Sequence, residues 1–291
     1  LDAIAQIIGA KSAVVGAAIG VAIAWGLKEA PLVIFASAAT GALGYDLGGP
    51  VGAYLAALVG AEIGRLVSGK TPLDIVVTPI VTIVAGGLVA RFAGPGVSAF
   101  MTWLGAVINN ATMLAPLPMG IVVSAIVGMV LTAPISSAAL CIMLDLTGLA
   151  AGAATVGCCA QMVGFAVASF RENGWGGLLS QGLGTSMLQV PNILKRPAIW
   201  IAPTLAGAIL GPISTCWLQM TNTAAGAGMG TSGLVGQFGT WAAMAGTLPS
   251  WLLLVEILVM HFLAPALLTL GIDYVLRRIR WVKEGDMKLA A

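Results

Sequence analysis

Apolar residues follow one another in long blocks, and charges and prolines gather in short clusters between them. Neither strict alternation nor a narrow helical stripe organises these blocks. They are apolar all round, the pattern of helices enclosed by lipid or by other helices. A helix that crosses a bilayer needs about 20 mostly apolar residues, and on that measure the punctuation predicts about ten segments. The first covers 3–27 and is closed by Lys28, Glu29 and Pro31. Segments at 32–47, 51–67, 73–92 and 97–114 follow, with Gly48-Gly49-Pro50 and Lys70-Thr71-Pro72 among the separators. The block 119–146 exceeds one upright span and is therefore tilted, kinked or broken at Pro134. Further spans are expected at 149–170, 198–220 and 251–272.

Two runs fit neither a clean span nor a surface loop. Residues 171–192 and 226–237 are dense in glycine and in uncharged hydrogen-bonding side chains, yet they lie within a very apolar chain. Non-helical backbone survives at membrane depth only where protein or a watery cavity satisfies its polar groups. These runs are read as the lining of a solute site, re-entrant or broken, with the other spans as scaffold.

Composition sharpens the class. Of 291 residues, 59% are hydrophobic and 8% charged, with a mean hydropathy of +1.01, which excludes a soluble domain. The fold class is an all-α integral membrane protein. A net charge of +2 gives no basis for nucleic-acid binding. The 39 glycines suit close helix approach in lipid, and tight, irregular packing is expected. Cys141, Cys158, Cys159 and Cys216 all sit in apolar stretches, where cysteine acts as a small hydrophobe, so no disulfide framework is expected. Residues 1–272 form one polytopic membrane domain. The basic cluster that follows, from Arg277 to Lys283, marks 273–291 as a short cytoplasmic tail by the positive-inside rule, with Trp281 at the interface.

Intramembrane ionisable residues are functional suspects. Glu62 and Arg65 share a helix face and are expected to neutralise each other. Glu256 and His261 point about 140° apart at 100° per residue, which argues against an acid/base pair. His261 is read as a hydrogen-bonded packing residue. Uncharged polar positions are more informative: Asn109 and Asn110 lie in an apolar segment, and Thr132, Ser136 and Ser137 flank Pro134. The amides of Gln181, Gln189, Asn192 and Gln237 and the hydroxyls of Thr185, Ser186, Thr231 and Ser232 suit a neutral polyol, on which Trp175 can stack. Arg171, Glu172 and Asn173 either gate the site, bind an anionic group or form an interfacial ion pair. The run from Gly226 to Ser232 lacks a Walker lysine and a preceding strand, so no nucleotide site is expected. No nucleophile set, metal-ligand cluster or cofactor pattern is visible.

A weak internal repeat is also legible. Thr102-Trp103-Leu104 leading to Asn109-Asn110 resembles Cys216-Trp217-Leu218 leading to Asn222, and Thr78-Pro79 resembles Ala202-Pro203. Halves near 1–115 and 116–250 would follow, and transporter sites commonly lie at such repeat interfaces.

The succession Thr132-Ala133-Pro134-Ile135-Ser136-Ser137, then Arg171-Glu172-Asn173-Gly174 with Gly182-Leu183-Gly184-Thr185-Ser186-Met187 and Pro191-Asn192, then the whole run 226–237, resembles the bacterial phosphotransferase-system EIIC-like membrane family. Some of its members are labelled perfringolysin regulators. The resemblance extends from about Ala10 to Ile272. It implies a multi-pass carrier in the bacterial inner membrane for a sugar or similar small solute, working with separate cytosolic phosphocarrier proteins and itself not an enzyme. No cofactor is implied. A homo-oligomer is expected. Two other readings stay open: a membrane-embedded ligand sensor that regulates gene expression without transport, and a carrier of a lipid or amphiphile.

Overall fold

The computed structural model describes residues 12–134 and 136–289. The start of the first expected segment, residues 3–11, and Ile135 lie outside them. Among the described residues the chain is helical throughout, with two isolated bridges and no strand. Five helices are long and apolar enough to cross a membrane: Pro31–Val67, Asp74–Leu114, Gly148–Ala168, Pro197–Trp217 and Ser250–Arg278. Ala13–Gly26 and Pro116–Thr132 are shorter apolar helices. By contacts the chain divides into two compact units, Leu1–Leu104 and Gly105–Ala291.

The first unit holds α1 (Ala13–Gly26), α2 (Pro31–Val67) and most of α3 (Asp74–Leu114). α1 starts on a Ser12 cap that accepts the Val14 N–H. α2 is one helix only in name. At Gly49 the backbone turns through φ 61° and ψ −157°, a conformation open to glycine, and Pro50 follows as the first residue of the next arm. The arms fold back on each other, since a side chain added at Gly44 would meet Ala56 Cβ at 2.8 Å. Each arm is about 27 Å long at 1.5 Å per residue, close to one hydrocarbon thickness. The two segments expected at 32–47 and 51–67 are thus both present. The segments expected at 73–92 and 97–114 instead run on as α3, whose 41 residues include Pro79 and Pro95.

Small residues let the helices of this unit touch. A Cβ at Gly60 would lie 2.9 Å from the Thr82 carbonyl, and one at Gly86 would lie 2.7 Å from the Ala56 carbonyl. Glu62 and Arg65 form the expected ion pair at 2.5 Å, with Glu29 a further 3.9 Å from Arg65. Glu29 is buried between α1 and α2; burial pushes its carboxyl above the usual range, and Arg65 partly offsets this.

The second unit is built around one helix. α4 (Pro116–Thr132), α5 (Ser137–Met143) and α6 (Gly148–Ala168) come first, and every residue of α6 from Ala150 to Ala166 is buried. A helix apolar on all faces has to be covered on all faces. α4 covers it at Gly128 and Ser124, and the middle of the Pro197–Trp217 helix covers it at Gly207, whose added Cβ would come within 3.4 Å of Gly157 Cα. Ser124 also donates to the Gly207 carbonyl at 2.9 Å, a bond that ties these two covering helices together.

Of the three outcomes left open for the block 119–146, tilt, kink or break, the structure has the break: α4 ends at Thr132, and α5 restarts on the Ser136 cap. α7 (Phe170–Leu179) contains a second glycine reversal at Gly174, φ 58° and ψ −156°, almost the same as at Gly49. After it the chain returns along α6, passes through a π turn at Ser180–Gly184, and continues to α8 (Val190–Lys195) and α9 (Ile201–Pro212). α10 (Ala224–Ala227), α11 (Val235–Met244), α12 (Ser250–Leu258) and α13 (Ala264–Arg278) complete the unit. A π turn at Val259–Leu263 carrying His261 joins α12 to α13. His261 is buried and hydrogen-bonded to Gln237 at 3.2 Å, the packing role expected of it.

Beyond Ile272 the described residues, 273–289, pack onto this unit. Val282 and Met287 are fully buried against Phe165, Ile193, Ile199 and Leu276.

Candidate functional site

Three stretches of the second unit leave helical geometry, and they meet. The first is the break at Pro134, where the pre-proline residue Ala133 is extended as sterics demand. The second is the return arm after Gly174, which runs through the Ser180–Gly184 π turn into a short 3₁₀ turn, Ser186–Gln189. The third is the second glycine-rich run, with Gly230 and Gly233 at φ 53° and 52° and Leu234 left-handed at φ 61°.

Each pair of stretches is joined by a hydroxyl. Thr132 and Ser186 share a hydrogen bond of 2.7 Å, linking the break to the return arm. Ser137 donates to the Gly228 carbonyl at 2.6 Å, linking the break to the third stretch. Thr231 donates to the Gly182 carbonyl at 2.5 Å, closing the triangle. Gly230 lies against Cys158 of α6, where an added Cβ would meet backbone at 2.8 Å, so a larger residue would push the third stretch off its seat.

Between them lies a cavity of about 280 Å³, lined by Pro134, Ser136, Ser137, Thr185, Met187 and Ser232, with Leu131, Met162 and Met229 among its apolar walls. Among the described residues no charged side chain lines it. Ser136 Oγ accepts the Ala139 N–H and Thr185 Oγ1 accepts the Met187 N–H, which leaves both hydroxyl protons free to donate. Four of the residues singled out in the sequence, Ser136, Ser137, Thr185 and Ser232, therefore share one wall. Thr132, Ser186 and Thr231 stand directly behind it as its cross-links.

Behind that wall sits a residue that reading the sequence missed. Gln161, buried at the centre of α6, accepts from Thr132 at 3.1 Å and from Trp200 at 3.0 Å, and donates to Thr204 at 2.9 Å. Since the Thr132 proton goes to Gln161, Ser186 is the donor in the Thr132–Ser186 bond. A lone amide in a 21-residue apolar helix was the available signal. Replacing Gln161 with Leu strands three partners. At about 0.6 kcal/mol per intramembrane bond the loss is about 2 kcal/mol, to be read as a lower unfolding midpoint in detergent denaturation. Asn222 was also missed. Its amide donates to Thr155 at 2.6 Å, to Thr240 at 3.0 Å and to the Gly236 carbonyl at 3.0 Å, fixing the third stretch to α6.

The remaining sequence candidates lie elsewhere. Asn109 brackets the turn before α6, donating to the Asp145 carbonyl and accepting the Thr147 N–H, while Asn110 is exposed. Gln237 bonds Cys159 and His261. Trp175 stacks edge-on against Phe170, 5.2 Å between centroids, rather than facing the cavity. Arg171 lies in a basic surface pocket.

Glu172, Asn173, Gln181, Gln189 and Asn192 form a clamp on the chain's own C-terminal segment. Glu172 accepts the Met287 N–H at 2.9 Å, and Asn173 and Gln189 both donate to the Met287 carbonyl at 2.9 Å. Asn173 accepts from Leu289 N at 2.9 Å, and Asn192 donates to the Lys288 carbonyl at 3.0 Å. Gln181 supports the clamp by accepting from Gln189 at 2.8 Å. Asn173→Ala removes two of these bonds, worth about 1 to 2 kcal/mol in all. Trypsin is expected to cut after Lys288 roughly tenfold faster in that variant, with little change in the global unfolding midpoint.

Set against known proteins, residues 1–289 match the family model described as phosphotransferase system, EIIC. No curated protein and no solved structure gives a match.

Proposed function

We propose, from the premise that this chain belongs to the phosphotransferase-system EIIC family, that it carries a sugar or similar small uncharged solute through the cavity among Ser136, Ser137, Thr185 and Ser232. The family supplies the coarser statement, a multi-pass bacterial membrane permease that works with other phosphotransferase components. The observation behind the finer one is the triangle of hydroxyl bonds, Thr132–Ser186, Ser137–Gly228 and Thr231–Gly182, around an uncharged concavity.

The chemistry follows from the lining. Free hydroxyl protons and lone pairs contributed by three stretches of chain match a solute that is both donor and acceptor, and an uncharged wall avoids desolvating an ion. A cavity near the lower end of the usual small-molecule range limits the solute to about monosaccharide size. Because the three stretches are irregular and each pair is joined by one hydroxyl bond, they are the elements best suited to part from one another when the solute enters or leaves. We assign the lining role to Ser136, Ser137, Thr185 and Ser232, and to Thr132, Ser186 and Thr231 the role of holding the wall. We also infer an inner-membrane location, halves near 1–115 and 116–250, and a homo-oligomer. The near-identical reversals at Gly49 and Gly174 favour the duplication.

The test is uptake of radiolabelled sugars, polyols and small anions into proteoliposomes containing the purified protein, with and without cytosolic phosphocarrier extract. Saturable uptake of a neutral sugar is the expected result. Saturable binding without flux would instead favour the sensor, and flux of amphiphiles alone the lipid carrier.

A further inference from the structure

Beyond the solute cavity, the second unit has a charged concavity that transport does not use. Arg171, Arg277, Arg280, Lys283 and Glu284, with Val282, line a pocket of about 420 Å³ beyond the end of α13. Arg277 is already engaged, 2.7 Å from Asp273 and 3.2 Å from Glu172. Arg171, Arg280 and Lys283 form no ion pair among the described residues, so the pocket keeps an excess of positive charge over the single carboxylate of Glu284. Arg280 stands at φ 63°, in the left-handed region that a long side chain rarely occupies; this ends the helix and turns the chain at the pocket.

The pocket is the terminus of an apolar stripe. Leu263, Leu267, Leu270 and Tyr274 succeed one another at four, three and four residues and are all exposed, and Trp281 beyond them is exposed as well. Arg277 and Arg278 follow Tyr274 by three and four residues, so the stripe gives way to positive charge along the same helical spacing. A ligand that satisfies both features carries an anionic headgroup on apolar chains.

We propose that this surface is a binding site for an anionic phospholipid, its headgroup among Arg171, Arg280 and Lys283 and its acyl chains along Leu267, Leu270 and Tyr274. Basic pockets at helix ends recognise anionic headgroups through this combination of charge and adjacent apolar surface. A zwitterionic lipid brings its own cation into the same pocket and is disfavoured.

The test uses the full chain in mixed micelles, titrated with phosphatidylglycerol or phosphatidylcholine brominated on the acyl chain, and reads quenching of Trp281 as the signal lost in a Trp281→Phe variant. Half-quenching is expected at a phosphatidylglycerol fraction at least tenfold below that for phosphatidylcholine. That preference disappears in R280N/K283Q and persists in Arg91→Gln, which removes an exposed cation of α3 that does not line the pocket. Among the described residues neither Arg280 nor Lys283 holds a side-chain partner, and asparagine tolerates the Arg280 backbone, so the double variant folds; an unchanged unfolding midpoint in phosphatidylcholine checks this. Equal quenching by the two lipids, no quenching by either, or retention of the preference in R280N/K283Q overturns the site. So does full competition by millimolar glycerol phosphate, which would identify a soluble anion as the ligand.

Discussion

Ser232→Trp is expected to reduce solute uptake about a hundredfold or more, the equivalent of about 2.7 kcal/mol of lost solute stabilisation, while the protein stays folded. Ser232 is only partly buried, and its hydroxyl makes no hydrogen bond to protein among the described residues, so removing it strands nothing. An indole placed there enters the cavity of about 280 Å³ and occupies the volume the solute needs. The cross-links through Thr132, Ser137 and Thr231 are untouched. Uptake and the unfolding midpoint should therefore separate: the first collapses, the second shifts by a few degrees at most. Ser232→Ala, which removes one hydroxyl without filling space, is expected to weaken uptake by about tenfold or less, in keeping with one hydrogen bond of about 1 kcal/mol.

Gly157→Ala should be strongly destabilising to the chain's second unit. Gly157 is where α6 and α4 come closest: an added Cβ would overlap the Ser124 carbonyl and lie 2.7 Å from Ser124 Cα. Both neighbours are backbone and cannot swing aside. The covering helices are also tied there by the Ser124–Gly207 bond, so a shift of α4 loses packing on two sides. Overpacking at such a crossing costs roughly 2 to 3 kcal/mol, and in lipid no hydrophobic drive re-forms the contact. Gly176→Ala is the matched control, because nothing lies within 4 Å of its added Cβ. Its effect on the unfolding midpoint should be small and, if anything, upward. Equal losses for the two variants would show that α6 is not the close-packed centre of the unit.

Why some of this was legible before the structure, and some not, comes down to what kind of signal each residue leaves. The breaks at Gly49 and Pro134 were signalled by local clusters, Gly48-Gly49-Pro50 in one case and Pro134 followed by the capping Ser136 in the other. The runs 171–192 and 226–237 were expected to be broken or re-entrant throughout, but they are largely helical, over Phe170–Leu179, Val190–Lys195, Ala224–Ala227 and from Val235 on, and the irregular backbone is confined to Gly174, the turns between 180 and 189, and 228–234. Partner choice was not readable. An amide that holds a solute and an amide that holds a backbone have the same composition, and Asn173, Gln189 and Asn192 turned out to grip Met287 and Lys288. Their partner lies about a hundred residues away, at a position whose sequence resembles an ordinary basic tail. Gln161 was overlooked for the opposite reason: one polar residue in an apolar helix resembles noise until the three side chains it joins are brought around it. The count of spans is the other lesson. Prolines 79 and 95 lie inside one helix, so a proline in an apolar block marks a break only where the following residues cap a new helix, as Ser136 does.

The most direct test of the account is the rate at which a maleimide labels Ser232→Cys, in a Cys216→Ser background, with and without the transported sugar. Cys141, Cys158 and Cys159 are buried and give little background. The account predicts that saturating sugar slows labelling at position 232 at least tenfold, with half-protection at the concentration that half-saturates uptake, and leaves labelling of Asn192→Cys at the tail clamp unchanged. Labelling at 232 that ignores a sugar the protein demonstrably transports would contradict it, and protection at 192 instead would move the site to the clamp.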